Sequence, residues 1–159
     1  MSQPIDVTVA AVIEAHDRYL LVEELVGGRP VFNQPAGHVE AGEAVIDAVV
    51  RETREETGYW FQPKALIGIY TWQPHPTGPS FIRFCFTGPA DPPDGAVELD
   101  DGIIGPCWLT VSEMEARQAQ LRSPLVMRAV DDYARGIRYP LDCFSHLQPD
   151  IPTIVRAAG

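Results

Sequence analysis

Positive charge is scarce in this chain: 12 lysines and arginines stand against 22 aspartates and glutamates, for a formal net charge of −10. A surplus of that sign disfavours nonspecific attraction to nucleic acid or to an anionic membrane, because both are polyanions. Cysteine is sparse as well. Cys85, Cys107 and Cys143 are odd in number and contain no CxxC pair, which argues against a disulfide frame and for small buried residues in a reducing, cytoplasmic compartment. The start of the chain lacks basic residues and its first apolar run breaks at Glu14, so neither a signal peptide nor a membrane anchor is expected. His16, His38, His75 and His146 lack metal-ligand spacing and read as loop or structural residues. Internal repeats and a clear linker are missing too.

What is present fits one globular domain over residues 1–159, long enough for a hydrophobic core. Proline, at 15 residues, exceeds the usual ~5% and favours loops and short strands over a helical bundle. Val7 to Ile13 is a β-branched run expected as a buried strand, with Arg18 to Glu23 as its partner beyond a turn at His16-Asp17. Gly27-Gly28 marks a second turn, before an extended piece from Arg29 to Asn33. Ala65 to Trp72 and Ser80 to Thr87 read as two strands around a Pro- and Gly-rich loop, and Cys107 to Leu109 as a short one. Thr110 or Ser112 suits the cap of a helix reaching about Leu121, and Ser123-Pro124 the start of another running to Arg135 before Gly136. Strands with one central helix and later helices make the fold α+β or mixed α/β.

That central helix is expected over residues 44 to 57, ~21 Å long, with Glu43 at its positively polarised mouth and Gly58 in the left-handed position that ends it. Ile46, Val50, Thr53 and Thr57 form one stripe. Val45, Ala48 and Val49 form another, in line with Glu52 and Glu56, while Asp47 and Arg54 face water. Glu52 and Glu56 stand one turn apart on the same side, with Glu55 beside them. Three clustered carboxylates repel one another unless a cation sits between them. An ordinary solvated face with weak ion pairs would explain a lone acidic cluster. It does not explain why Gly37, Glu43 and Gly58 frame this one.

The stretch from Gly37 to Tyr59 resembles the Nudix box, GX5EX7REUXEEXGU, in which U is a bulky apolar residue. Gly37, Glu43, Arg51, Glu52, Glu55, Glu56 and Gly58 all stand at their places, while Thr53 and Tyr59 depart at the two U positions. Beyond the box, Phe32 to His38, Phe81 to Phe84, Leu121 to Val126 and Arg138 to Leu141 are similar to the NudJ-type phosphatases of that family. The resemblance implies an α/β/α sandwich with a mixed, curved sheet, and a Mg²⁺-dependent hydrolase (Mn²⁺ being an alternative ion) acting on small phosphorylated substrates. It implies metal ligation by Glu52, Glu55, Glu56 and the backbone carbonyl of Ala36, with Arg51 orienting the carboxylates. The general base is Glu55 or Glu56, and Glu55 is placed first because the other two look committed as ligands.

For binding, Gln34, Arg83 and Arg122 are the candidates: Arg83 because a cation in an apolar strand is costly without an anion, Arg122 because it precedes a helix start. Trp72, Phe81 and Tyr139 are candidates to stack on a ring. One of Glu98, Asp100 and Asp101 is a candidate further metal ligand. The substrates implied are nucleoside tri- and diphosphates and thiamine diphosphate, losing orthophosphate from the terminal position, by a monomer or small homo-oligomer. A pyrophosphohydrolase that cuts elsewhere in the phosphate chain is the competing expectation; a noncatalytic binding module fits poorly with a box that keeps every glutamate.

Overall fold

The computed structural model describes residues 4–148. Among the described residues ten strands and three α-helices follow one another: β1 (Ile5–Val12), β2 (Glu14–Ala15), β3 (Arg18–Val26), β4 (Arg29–Asn33), β5 (Ala36–His38), α1 (Val45–Thr57), β6 (Trp60–Phe61), β7 (Ala65–Trp72), β8 (Ser80–Thr87), β9 (Ala90–Asp91), β10 (Ile103–Leu109), α2 (Val111–Glu115) and α3 (Leu125–Ala134). The main sheet has the order β5-β1-β8-β7 and is mixed, since β1 runs parallel to β8 while the other pairs are antiparallel. A second sheet has the order β10-β3-β2, with β4 also on β3, and β6 pairs with β9 alone.

The expected β1–β3 partnership is not formed. Leu20 and Tyr19 of β3 face Trp108 and Leu109 of β10, and β1 takes β5 and β8 instead. Just past the end of β1, the Leu20 N–H of β3 donates to the Ile13 carbonyl at 2.9 Å. His16 and Asp17 do turn the chain, at φ 54° and 60°, but they join β2 to β3.

Side-chain alternation along β1 sets the layers. Val9, Ala11 and Ile13 pack with Ala48 and Val49 of α1 and with Phe86, whereas Ala10 and Val12 pack with Val126, Ala129 and Val130 of α3. Successive strand residues point to opposite faces, so α1 and α3 cover the two sides of the main sheet. This is the helix–sheet–helix layering expected from the resemblance.

Helix α1 begins one residue later than expected and ends as expected, with Gly58 at φ 77° donating its N–H to the Arg54 carbonyl at 2.9 Å. Thr53 is buried at a position that asks for an apolar residue. Its hydroxyl donates back to the Val49 carbonyl at 2.8 Å, which satisfies the polar atom and leaves the methyl for the core. Arg54 does not extend into water: it lies over the Trp60 ring at 4.1 Å and donates to the Gly58 carbonyl. Helix α2 is shorter than expected and is followed by a 3-10 turn at Gln118–Gln120; Thr110 caps it in a reciprocal box with Glu113. Among the described residues no helix is long and apolar enough to cross a membrane.

Candidate active site

The acidic half of α1 is organised by one guanidinium. Arg51 grips Glu43 with Nε at 2.7 Å and Nη2 at 3.0 Å, and its Nη1 donates to Glu52 at 2.8 Å and Glu55 at 2.9 Å. Nη2 also donates to the His38 carbonyl at 2.9 Å. Glu43 is fixed in turn by the Glu40 N–H at 3.0 Å. This fork holds the Glu43 carboxyl below its ordinary range and raises the guanidinium above its own. With every nitrogen engaged, Arg51 works as a rigid brace for carboxylates on one turn of helix and for the loop that enters it.

Glu56 is held from the strand side. The pairing Val9↔Gly37 and the bond from the Ala11 N–H to the Pro35 carbonyl leave Ala36 as the non-bonded member of the β1–β5 ladder. Its N–H and C=O therefore point away from β1. The N–H meets Glu56 Oε2 at 3.0 Å, and the carbonyl is directed along the same edge. Burial pushes the Glu56 carboxyl up to about 8; the Ala36 bond opposes that, while the charges of Glu52, Glu24 and Asp100 add to it. Glu52 is also raised by burial, against the pull of Arg51. Gly37 makes this proximity possible: a Cβ there would lie 2.1 Å from Glu52 Cδ, a distance no side chain tolerates.

Two carboxylates kept out of water at neighbouring positions, each with a single hydrogen bond, are costly when ionised. A hard divalent cation answers that cost, and Glu52, Glu56 and the Ala36 carbonyl are its kind of donor. Among the described residues no three His, Cys, Asp or Glu side chains converge as a ready-made cage, since Arg51 draws Glu52 and Glu55 to itself. The fit is one of donor chemistry and burial. Glu55 is the more open carboxylate, its side chain 38% exposed against 12% for Glu52. Of the three loop acids, Asp100 is tied to the helix: its N–H donates to the Glu55 carbonyl at 3.2 Å, and its charge reaches both Glu52 and Glu56.

Beside these groups opens a cleft of about 420 Å³, bounded by Ala36, Gly37, Arg83, Arg122, Trp72 and Phe81, with Thr8, Glu24, Asn33 and His38 completing its walls. Arg83 is the expected costly cation. Its Nε and Nη1 are buried and find no partner among the described residues, and burial lowers its pKa. Arg122 sits across from Glu24 in a loose ion pair of 3.6 Å, its N–H donating to the Phe32 carbonyl at 2.8 Å.

Gln34 is not on the cleft wall. It is 1% exposed and donates to the Val126 carbonyl at 2.8 Å; its neighbour Asn33 forms the wall instead. Tyr139 is also elsewhere, bonded to Leu66 beside a separate hollow near Tyr70 and Arg128. His38, read as structural, ends β5 at the cleft edge, with Nε2 3.7 Å from Asp6. Glu24 escaped notice in the sequence: alternation along β3 separates it from Glu23, but nothing local says which face meets the cleft.

Comparison with known proteins gives a consistent result. A family model described as the NUDIX domain matches residues 3–129. Phosphatase NudJ of Escherichia coli strain K12 is 40% identical over 145 residues, covering 86% of this chain and 88% of that protein. Among solved structures, a NUDIX hydrolase from Nitrosomonas europaea superposes with a TM-score of 0.87 at 47% identity, covering 91% of this chain and 98% of that one. The fold alone is shared with a bifunctional NMN adenylyltransferase/ADP ribose pyrophosphatase from Francisella tularensis, complexed with AMP and a Mn ion. That match has a TM-score of 0.62 at 18% identity, over 86% of this chain and 43% of that one.

Proposed function

The chain belongs to the Nudix family of hydrolases, and from that premise we propose a divalent-metal-dependent phosphatase. Its substrates are nucleoside tri- and diphosphates and thiamine diphosphate, and it releases orthophosphate from the terminal position. Mg²⁺ is the working ion and Mn²⁺ an effective substitute. The observation that supports this reading most directly is the juxtaposition of two buried charged groups that no ion pair satisfies among the described residues. Glu56 is bonded to the Ala36 N–H and burial disfavours its charge, and the cleft beside it holds Arg83, whose Nε and Nη1 have no hydrogen-bond partner. A metal ion bound to a phosphate answers both needs.

Glu52, Glu56 and the Ala36 carbonyl would hold the ion, which when bound would neutralise phosphate charge and acidify water. Arg51 stays charged and keeps Glu52 and Glu55 in place. Glu55, open on one side, accepts the proton of the attacking water and returns it to solvent. Arg83 and Arg122 bind phosphate oxygens, and Arg122 leaves Glu24 to do so. Phosphoryl transfer of this kind is mostly positioning and charge neutralisation, and the residues present supply both.

The test is product analysis. Incubating a nucleoside triphosphate with the protein in millimolar Mg²⁺ is expected to give orthophosphate without added pyrophosphatase. Pyrophosphate plus a monophosphate as the products overturns the choice of bond. Glu55→Gln is expected to lower kcat by roughly 10²–10⁴-fold. Unchanged turnover and pH profile in that variant removes Glu55 as the base.

A further inference from the structure

The main sheet is covered unevenly on the side that carries α1. On that face the residues of β1, β8 and β7 line up in rungs: Ala11, Phe86 and Leu66; then Val9, Phe84 and Ile69; then Val7, Ile82 and Thr71; then Ile5 and Ser80. The inner rungs are roofed. Ala48 and Val49 of α1 pack with Val9, Ala11 and Phe86. The chain after α3 returns to the edge of β7, where Tyr139 and Leu66 exchange backbone bonds of 2.8 and 2.9 Å. It then sets Phe144 on Phe84 and Phe86, with ring centroids 5.6 and 5.3 Å apart.

Beyond Phe144 the roof stops. Ile5 is 62%, Val7 37% and Ile69 57% exposed, and Ile82 between them joins neither buried cluster. Val39, whose N–H donates to the Val7 carbonyl at 3.0 Å, carries the strip past β1. Single apolar residues on a surface need no explanation, but a contiguous strip marks a contact. This one lies on a sheet face and continues the row that Phe144 already covers.

Residues 149–159 lie beyond the described part of the chain, and the first of them are suited to that strip. Pro149, Ile151, Pro152, Ile154 and Val155 are apolar, with Asp150 and Thr153 between them. Ile151 comes seven residues after Phe144, a reach of up to ~23 Å, whereas neighbouring rungs are only ~6.6 Å apart. Pro149 and Pro152 lack the N–H that joining a sheet edge needs, and they favour the extended helix of three residues per turn. In that conformation Ile151 and Ile154 fall on one side, ~9.3 Å apart. The two strand spacings from β7 to β1 come to ~9.6 Å.

We propose that residues 149–159 dock on this strip, with Ile151 and Ile154 seated against Ile69, Ile82 and Val7, and complete the α1-side layer of the sheet. Thr8 and Arg83, next to Val7 and Ile82 in their strands, line the cleft on the opposite face. The docked segment therefore backs the two strands that hold Arg83. The proposal does not depend on which phosphorylated substrate is cleaved.

Methyl NMR of the full chain tests it. Nuclear Overhauser cross-peaks are expected from the Ile151 and Ile154 methyls to those of Ile69, Ile82 and Val7, and their absence overturns the proposal. In a mixture of isotope-labelled and unlabelled copies, cross-peaks that arise only between copies also overturn it and assign the strip to a second copy. Melting temperatures give a separate readout. An exposed side chain with nothing on it can be changed at almost no cost. Ile69→Ser and Ile154→Ser are instead each expected to lower the melting temperature by a few degrees. The double variant is expected to lose less than the sum, because both changes remove one contact. No shift in either single variant, or full additivity in the double, overturns the docking.

Discussion

Gly37 shows how tightly single residues constrain this site. A methyl group there meets the Glu52 carboxylate at 2.1 Å, and the neighbour that must yield is braced by Arg51. Gly37→Ala is thus expected to displace Glu52 rather than unfold the chain, and to cut kcat/KM by roughly 10²-fold. A melting temperature near that of the unaltered protein, measured alongside, checks that the loss is local. That Arg51, Glu52, Glu55 and Glu56 cluster was legible from spacing, because a helix converts sequence intervals into faces; Glu43, before the helix, joins them only through the loop that brings it to Arg51. Gln34 was not: the turn of chain between β4 and β5 sends it inward to Val126, and no local pattern distinguishes it from Asn33. Nor could spacing reveal Glu24, whose place depends on how the second sheet meets the first.

At the scale of elements, α1 is held at its exit as firmly as at its entrance. Gly58 sits at φ 77°, its missing Cβ would lie 2.8 Å from Val97, and Arg54 reaches over to its carbonyl. Gly58→Ala combines left-handed strain of ~1–2 kcal/mol with a clash. It is expected to lower the melting temperature by several degrees, and an unchanged melt contradicts the role given to this cap. Strands β7 and β8 and the whole of α1 could be read almost to the residue, since alternation, apolar stripes and glycine punctuation are local signals. The β1–β3 pairing was misjudged for the opposite reason. Both strands are apolar and adjacent in sequence, and what separates them is competition from β5, β8 and β10, which arrive later in the chain.

For the whole molecule, the buried carboxylates couple stability to pH and to metal. In metal-free protein the folded Glu56 keeps its proton to about 8, against an ordinary 4.5. The folded state therefore binds the extra proton between those values. That contribution is complete below pH 4.5 and is lost as pH rises through about 8. Glu43, held low by Arg51, acts with the opposite sign and loses its contribution only as pH falls below the usual carboxylate range. The melting temperature without divalent ions is expected to fall from about pH 5 to about pH 8, less steeply in Glu56→Gln, and Mg²⁺ at the upper pH is expected to restore it. A flat profile in the unaltered protein contradicts the burial assigned to Glu56. The parallel pairing of β1 with β8 has a consequence for the order in which a ribosome delivers these parts. Ile5 waits for Ser80, and closing so long a loop is entropically costly until the later strand is available. A nascent chain that has already exposed Gly37 to Tyr59 carries the complete signature and still lacks the strand that seats it. The motif is thus complete well before the strand that seats it, and the site takes its form only once β8 has been made.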